Sequence, residues 1–148
     1  MKAYSYKADP AVPAFDDSHP IVFMDAECAL CTGAARFIAR FDRSGEFRIC
    51  PIQSPLGSVM MTHFGYDARD PRSWLYLENG VAFGASDGVL KAAKRLGGPF
   101  KLALVFWIVP RRIRDAVYNA VARSRYRLFG KADMCAAPDE ALKRRLIG

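Results

Sequence analysis

The sequence predicts a single α/β domain with a helical C-terminal extension. Three observations carry that expectation. A chain of 148 residues, 51% hydrophobic and 25% charged, can bury a sizeable core in one domain. The apolar run Ile21-Val22-Phe23-Met24 reads as a short buried strand and is followed at once by helical spacing. Strand-like and helix-like stretches then succeed one another in the order β-α-β-α-β-β-α.

Residues 1–19 carry Pro10 and Pro13 among scattered charges, with Pro20 just beyond, and read as a flexible extension ahead of a domain spanning 20–148. After the first strand, Leu30, Ala34, Phe37, Ile38 and Phe41 fall on one helical face, with Arg36, Arg40 and Arg43 off it. Ser44-Gly45 ends that helix, and Phe47 to Ile52 alternates as a second strand. Leu56 to Phe64, between Pro55 and Gly65, suggests a short helix. Trp74-Leu75-Tyr76-Leu77 and Val81-Ala82-Phe83 flank Glu78-Asn79-Gly80, and Asn-Gly suits a tight primed hairpin turn. Ser86 and Asp87 are natural N-caps for a helix through Leu96, which Gly97-Gly98-Pro99 terminates. From Phe100 to Gly130 at least two more helices follow. The first is apolar almost all round, so burial against the core is expected, and Pro110 separates it from a stripe of Ile113, Val117, Ala120 and Val121.

The chemistry concentrates in Asp25-Ala26-Glu27-Cys28-Ala29-Leu30-Cys31, where the strand ends and the helix begins. Cysteines three apart in a helical turn share a face and come close enough to bond. The first turn supplies free N–H groups and the positive end of the helix dipole, which favour a thiolate. A C-x-x-C in this setting is what dithiol–disulfide exchange requires. Cys28, nearest the helix start, is the expected nucleophile, and Cys31, one turn deeper, the resolving thiol. Asp25 has two readings: a carboxylate that shuttles a proton during exchange, or an N-cap holding the first turn. Asp25 and Glu27 place negative charge beside the pair, opposing the helix terminus.

With these residues in view, the chain resembles the DCC family of thiol-disulfide oxidoreductases, named for an Asp followed by two cysteines. The resemblance rests on Asp25, Cys28 and Cys31, on Ser86-Asp87, and on Arg125-Tyr126-Arg127-Leu128-Phe129-Gly130 followed by Cys135, and covers about residues 20–138. It implies a thioredoxin-like fold and disulfide reductase chemistry, and the element order read from pattern is that of such a domain. The family usually has Gly where this chain has Ala26; at a positive φ, Ala would cost about 1–2 kcal/mol. Thioredoxin-like domains also place a cis proline before the strand facing the dithiol, and Pro71 stands at that place, although a plain loop proline is the commoner case.

The remaining signals are plainer. Cys50, in a predicted strand, reads as a buried small apolar residue, and Cys135 as either a third thiol near the site or tail packing. Residues 101–148 hold 11 Lys/Arg against 4 Asp/Glu, so the net charge of +7 lies there. That charge suits an acidic partner, nucleic acid or anionic lipid, or simply a solvated helix face; no nucleic-acid motif accompanies it. The partners expected are a disulfide-containing protein or small thiol and an external thiol as electron donor, with no cofactor. One alternative is a metal module built on Cys28, Cys31 and two of Cys50, Cys135, His19 or His63, which lacks the second ligand pair zinc sites usually show. The other is a non-catalytic module using the basic segment. No secretory signal is visible, and the longest apolar run, Leu102 to Val109, is short of the roughly 20 residues a membrane span needs. A reducing, cytoplasmic setting is expected.

Overall fold

Strand β1 (Ile21–Met24) lies inside a four-stranded sheet of order β2-β1-β3-β4, parallel to β2 (Arg48–Pro51) and antiparallel to β3 (Leu75–Glu78), which pairs with β4 (Val81–Gly84). This is a computed structural model, and it describes residues 2–67, 69–70 and 74–148. The sheet with α1 (Ala29–Phe41), α2 (Pro55–His63) and α3 (Ala85–Leu96) gives the predicted β-α-β-α-β-β-α order, a mixed α/β architecture consistent with a thioredoxin-like fold. Pro71 lies outside the described residues.

Alternation along β1 divides the core. Val22 and Met24 point to a layer that includes Ala35 and Ile38 of α1, Ala92 of α3 and Met134 of the tail. Ile21 and Phe23 point the other way, to Leu56, Met60 and Met61 of α2, with Cys50 buried among them as expected. Helix α2 sits hard on β2. Ser54 Oγ caps it by accepting the Gly57 N–H at 3.0 Å, and a Cβ on Gly57 would stand 2.0 Å from the Pro51 carbonyl oxygen. The hairpin forms as predicted, with positive φ at both Asn79 (50°) and Gly80 (73°).

Three expectations are corrected. The N-terminal stretch is seated on the core rather than free: Tyr6 is buried and donates to Asp17, and the Tyr4 N–H donates to the Gly80 carbonyl. Its prolines suit a path without regular hydrogen bonding, and its aromatic residues supply the anchors. The apolar segment after α3 is a 3-10 run, Gly98–Ile108, and it is not buried: Leu102 is 77% and Ile108 83% exposed. Gly98 and Pro99 open this segment, which has no one-sided pattern to turn inward. Pro110 then caps α4 (Arg111–Phe129). Ser86 and Asp87 do not cap α3, whose N-cap is Gly84; they clasp α4 instead. Arg114 Nη1 bonds Asp87 Oδ1 at 2.9 Å and Ser86 Oγ at 3.1 Å, and the Ser86 hydroxyl donates to Asp115. On α1, Thr32, Ala35, Ile38 and Ala39 turn inward, while Phe37 and Phe41 stay partly exposed.

Beyond α4, the chain returns to the sheet through α5 (Glu140–Lys143). Its last residues run along the free edge of β2: the Ile49 N–H donates to the Arg145 carbonyl at 2.8 Å, and the Ile147 N–H to the Ile49 carbonyl at 2.9 Å. Arg145 also reaches the buried Asp42 carboxylate at 3.2 Å.

Candidate active site at the end of strand β1

The parallel register of β1 and β2 sets Met24 opposite Pro51, so the loops leaving both strands emerge side by side. Ligand sites in α/β sheets form at such carboxyl ends. Asp25 turns the chain by accepting the Glu27 N–H on Oδ1 at 2.8 Å. Gln53, in the loop after β2, donates to the same oxygen at 2.6 Å and accepts the Ala26 N–H on Oε1 at 3.1 Å. Ala26 has no positive φ, so the Gly-to-Ala departure carries no backbone strain.

The N-cap of α1 is Cys28, in extended conformation (φ −95°, ψ 126°), and its Sγ accepts the Cys31 N–H at 3.4 Å. The capping reading of Asp25 is thereby corrected. Its carboxylate is occupied elsewhere, and the thiol of the first cysteine takes the cap.

On α4, Tyr118, Val121, Ala122 and Arg125 recur at helical spacing and face this corner. Arg125 is 3% exposed. Its Nη2 donates to Asp25 Oδ2 at 2.8 Å and its Nη1 to Cys31 Sγ at 3.2 Å, and the Tyr126 hydroxyl also donates to Asp25 Oδ2. Asp25 is thus surrounded by donors, and the guanidinium links it to the second thiol. The sequence reading placed Arg125 in a basic surface, and it left Gln53 unnoticed. The signal for Arg125 was its place in the family motif, whose role only the packing of α4 against α1 and α3 reveals.

All four cysteines are free thiols. Cys28 and Cys31 are close, one turn apart, with the Cys31 N–H on Cys28 Sγ. Their accessibility reverses the expected order. Cys28 is wholly buried because the segment after α4 folds back over it: Lys131 bridges to Cys28, and the Ala29 N–H donates to the Gly130 carbonyl at 3.3 Å. Cys31 is partly exposed and lines a cavity. Burial pushes the Cys31 thiol up to about 12, with the Arg125 charge opposing and Cys28 and Asp25 adding to the rise. The Tyr126 hydroxyl is likewise raised, by burial and then by Asp25. Cys135 is exposed on the loop after α4, while Cys50 lies on the opposite layer of the core with its Sγ 3.4 Å from Ser54 Oγ. His63 is engaged with Asp9 at 2.7 Å, and no cluster of three or more His, Cys, Asp or Glu suited to a metal occurs among the described residues. Nor, among them, is any helix long and apolar enough to cross a membrane.

A mixed α/β sheet with paired cysteines where its central strand meets a helix defines a dithiol protein of thioredoxin-like build. The chain belongs to the DCC1-like thiol-disulfide oxidoreductase family, whose model matches residues 22–131. It is 32% identical over 127 residues to the uncharacterized protein YuxK of Bacillus subtilis (strain 168), covering 86% of this chain and 93% of that protein. It is 34% identical over 121 residues to the DCC family protein At1g52590, chloroplastic, of Arabidopsis thaliana, covering 81% of this chain and 70% of the relative. No solved structure matches.

Proposed function

We propose that the protein catalyses thiol–disulfide exchange with Cys28 and Cys31 as its redox pair, cycling through a mixed disulfide with a protein or small-thiol partner and an external thiol as electron donor. The observation that carries this is the approach of the two cysteines at the start of α1, the Cys31 N–H lying 3.4 Å from Cys28 Sγ, with the buried Arg125 cation 3.2 Å from Cys31 Sγ. The exposure of the two sulfurs favours Cys31 as the one that meets the partner. Cys28, with the Cys31 N–H aimed at its sulfur, is then the internal thiol: it leaves when a partner attacks Cys31, and it attacks when the mixed disulfide resolves. Asp25 is a positioning residue in this scheme. Its carboxylate accepts from Gln53, Glu27, Arg125 and Tyr126, and it acts on Cys31 through the guanidinium it orients. A reducing compartment such as the cytoplasm suits four free thiols.

The test is a redox titration in glutathione buffers, quenched by alkylation, with the cross-link mapped by mass spectrometry. A reversible Cys28–Cys31 disulfide with a midpoint within about −120 to −270 mV is expected. A pair that stays reduced throughout, or that links instead to Cys50 or Cys135, overturns the proposal.

A further inference from the structure

Much of the apolar face of α1 lines a cavity. Leu30, Ala34 and Phe37 of α1, Val89 of α3, Phe100, and Val121 of α4 wall a cavity of about 310 Å³, at the small end of the ~300–1,000 Å³ usual for small-molecule sites. Phe37, Val89 and Val121 are each 43% exposed, so the cavity opens outward. Its few polar groups include Cys31, Tyr118 and Arg125. The Arg125 Nε, although buried, has no hydrogen-bond partner among the described residues.

We infer that this cavity seats the exchanging partner, and that the partner is a compact apolar disulfide or the corresponding dithiol, engaging the protein at Cys31. The inference rests on the exchange reading above and adds the chemistry of the substrate. Cys31 Sγ is the redox sulfur that the cavity exposes, and its walls are hydrocarbon, so a charged tripeptide thiol would lose hydration there without finding partners. In the oxidised protein, a thiolate of the bound dithiol attacks Cys31 Sγ. The Cys28–Cys31 bond breaks, its electron pair goes to Cys28 Sγ, and the Cys31 N–H stands ready beside that sulfur. The partner's second thiolate then attacks the partner sulfur of the mixed disulfide, closing the partner's own disulfide and expelling Cys31 Sγ, which Arg125 Nη1 meets as an anion. Two electrons pass from partner to protein, and both protein sulfurs end as thiols after taking up the partner's two protons.

The test compares two dithiols as reductants of the oxidised full chain, read by alkylation and mass spectrometry: dihydrolipoamide, whose sulfurs sit on an alkyl chain, and dithiothreitol, which is small and hydroxylated. Dihydrolipoamide is expected to be faster by about tenfold or more. Octanamide, an alkyl amide without sulfur, is expected to compete with it. Val121→Asp, placing charge in the wall, is expected to draw the ratio of the two rates toward one; should that variant not fold, octanamide competition on the unaltered chain decides. Equal rates with no effect of octanamide overturn the inference and leave the exchange reading intact. If dithiothreitol also fails to reduce a Cys28–Cys31 disulfide, or none forms, the exchange reading fails and the inference with it.

Discussion

Arg125 and Asp25 stand a hundred residues apart in the chain and form a buried ion pair of 2.8 Å, with side chains only 4% and 5% exposed. Removing one partner of such a pair leaves a charge buried without compensation, which costs about 3–5 kcal/mol. Arg125→Ala is therefore expected to lower unfolding stability by that order in urea titration. Arg125→Lys keeps the charge but cannot reach both Asp25 and Cys31, so it should fold better than Arg125→Ala and still exchange slowly. Recovery of full exchange in Arg125→Lys would contradict the bridging role.

Asp25→Asn separates the two functional readings of that carboxylate. Asn can still accept on its oxygen, yet it no longer neutralises Arg125. A positioning role predicts a slower reaction, by about tenfold or more, with the pH–rate profile unchanged in shape. A proton-shuttling role predicts loss of one limb of that profile.

Two thiols whose titration is pushed upward make the reduced protein sensitive to alkali. Burial pushes Cys31 up to about 12 and Cys50 up to about 11, against an ordinary value of 9.0. Between the ordinary and the folded value, the unfolded chain has already lost the proton that the folded chain retains. Stability accordingly falls as pH rises through this window, by at most about 1.4 kcal/mol per pH unit for each thiol. Denaturation under reducing conditions from pH 9 upward should show that slope, and Cys31→Ala should flatten it by one thiol's share.

Alkylation of the reduced native protein has a predicted order. Exposed Cys135 should react first and Cys31 next, with Cys28 and Cys50 protected until the structure opens. Iodoacetamide pulses resolved by peptide mass spectrometry give the ranking. Labelling of Cys28 ahead of Cys31 would mean that the covering Gly130–Lys131 segment opens readily.

Gly57→Ala is expected to destabilise by about 1–3 kcal/mol without altering the cysteines, because its Cβ would meet the Pro51 carbonyl at 2.0 Å. Thermal unfolding checks this, and a neutral result would show that α2 can lift from β2 at no cost.

The elements were legible in the sequence because each is short and patterned. The alternation over Phe47 to Ile52, the Asn79-Gly80 turn and the helix bounded by Pro55 and Gly65 each carry a local signal that tertiary packing did not override. Cys28 and Cys31 were legible for the same reason, as neighbours one turn apart. Arg125 was not, since nothing local distinguishes it from Arg123 or Arg127; only the seating of α4, clasped through Arg114 to Ser86 and Asp87, decides which arginine turns inward. Gln53 depends on the parallel register of β1 and β2, which periodicity does not specify. The apolar stripe of α1 was read correctly as apolar. Its use was not legible, because hydrophobic spacing looks the same on a core face and on a cavity wall.

The pairing of Gly130 and Lys131 with Ala29 and Cys28 has a consequence for biosynthesis. The two cysteines emerge from the ribosome early, about a hundred residues before the arginine that steadies one of them and the backbone that covers the other. During that interval the thiols are adjacent but unguarded, and any pairing between them answers to the surrounding redox buffer rather than to the protein. Control over their reactivity begins only when the distal helix docks, so the redox behaviour of a nascent chain and of the finished protein are two different properties of the same pair of sulfurs.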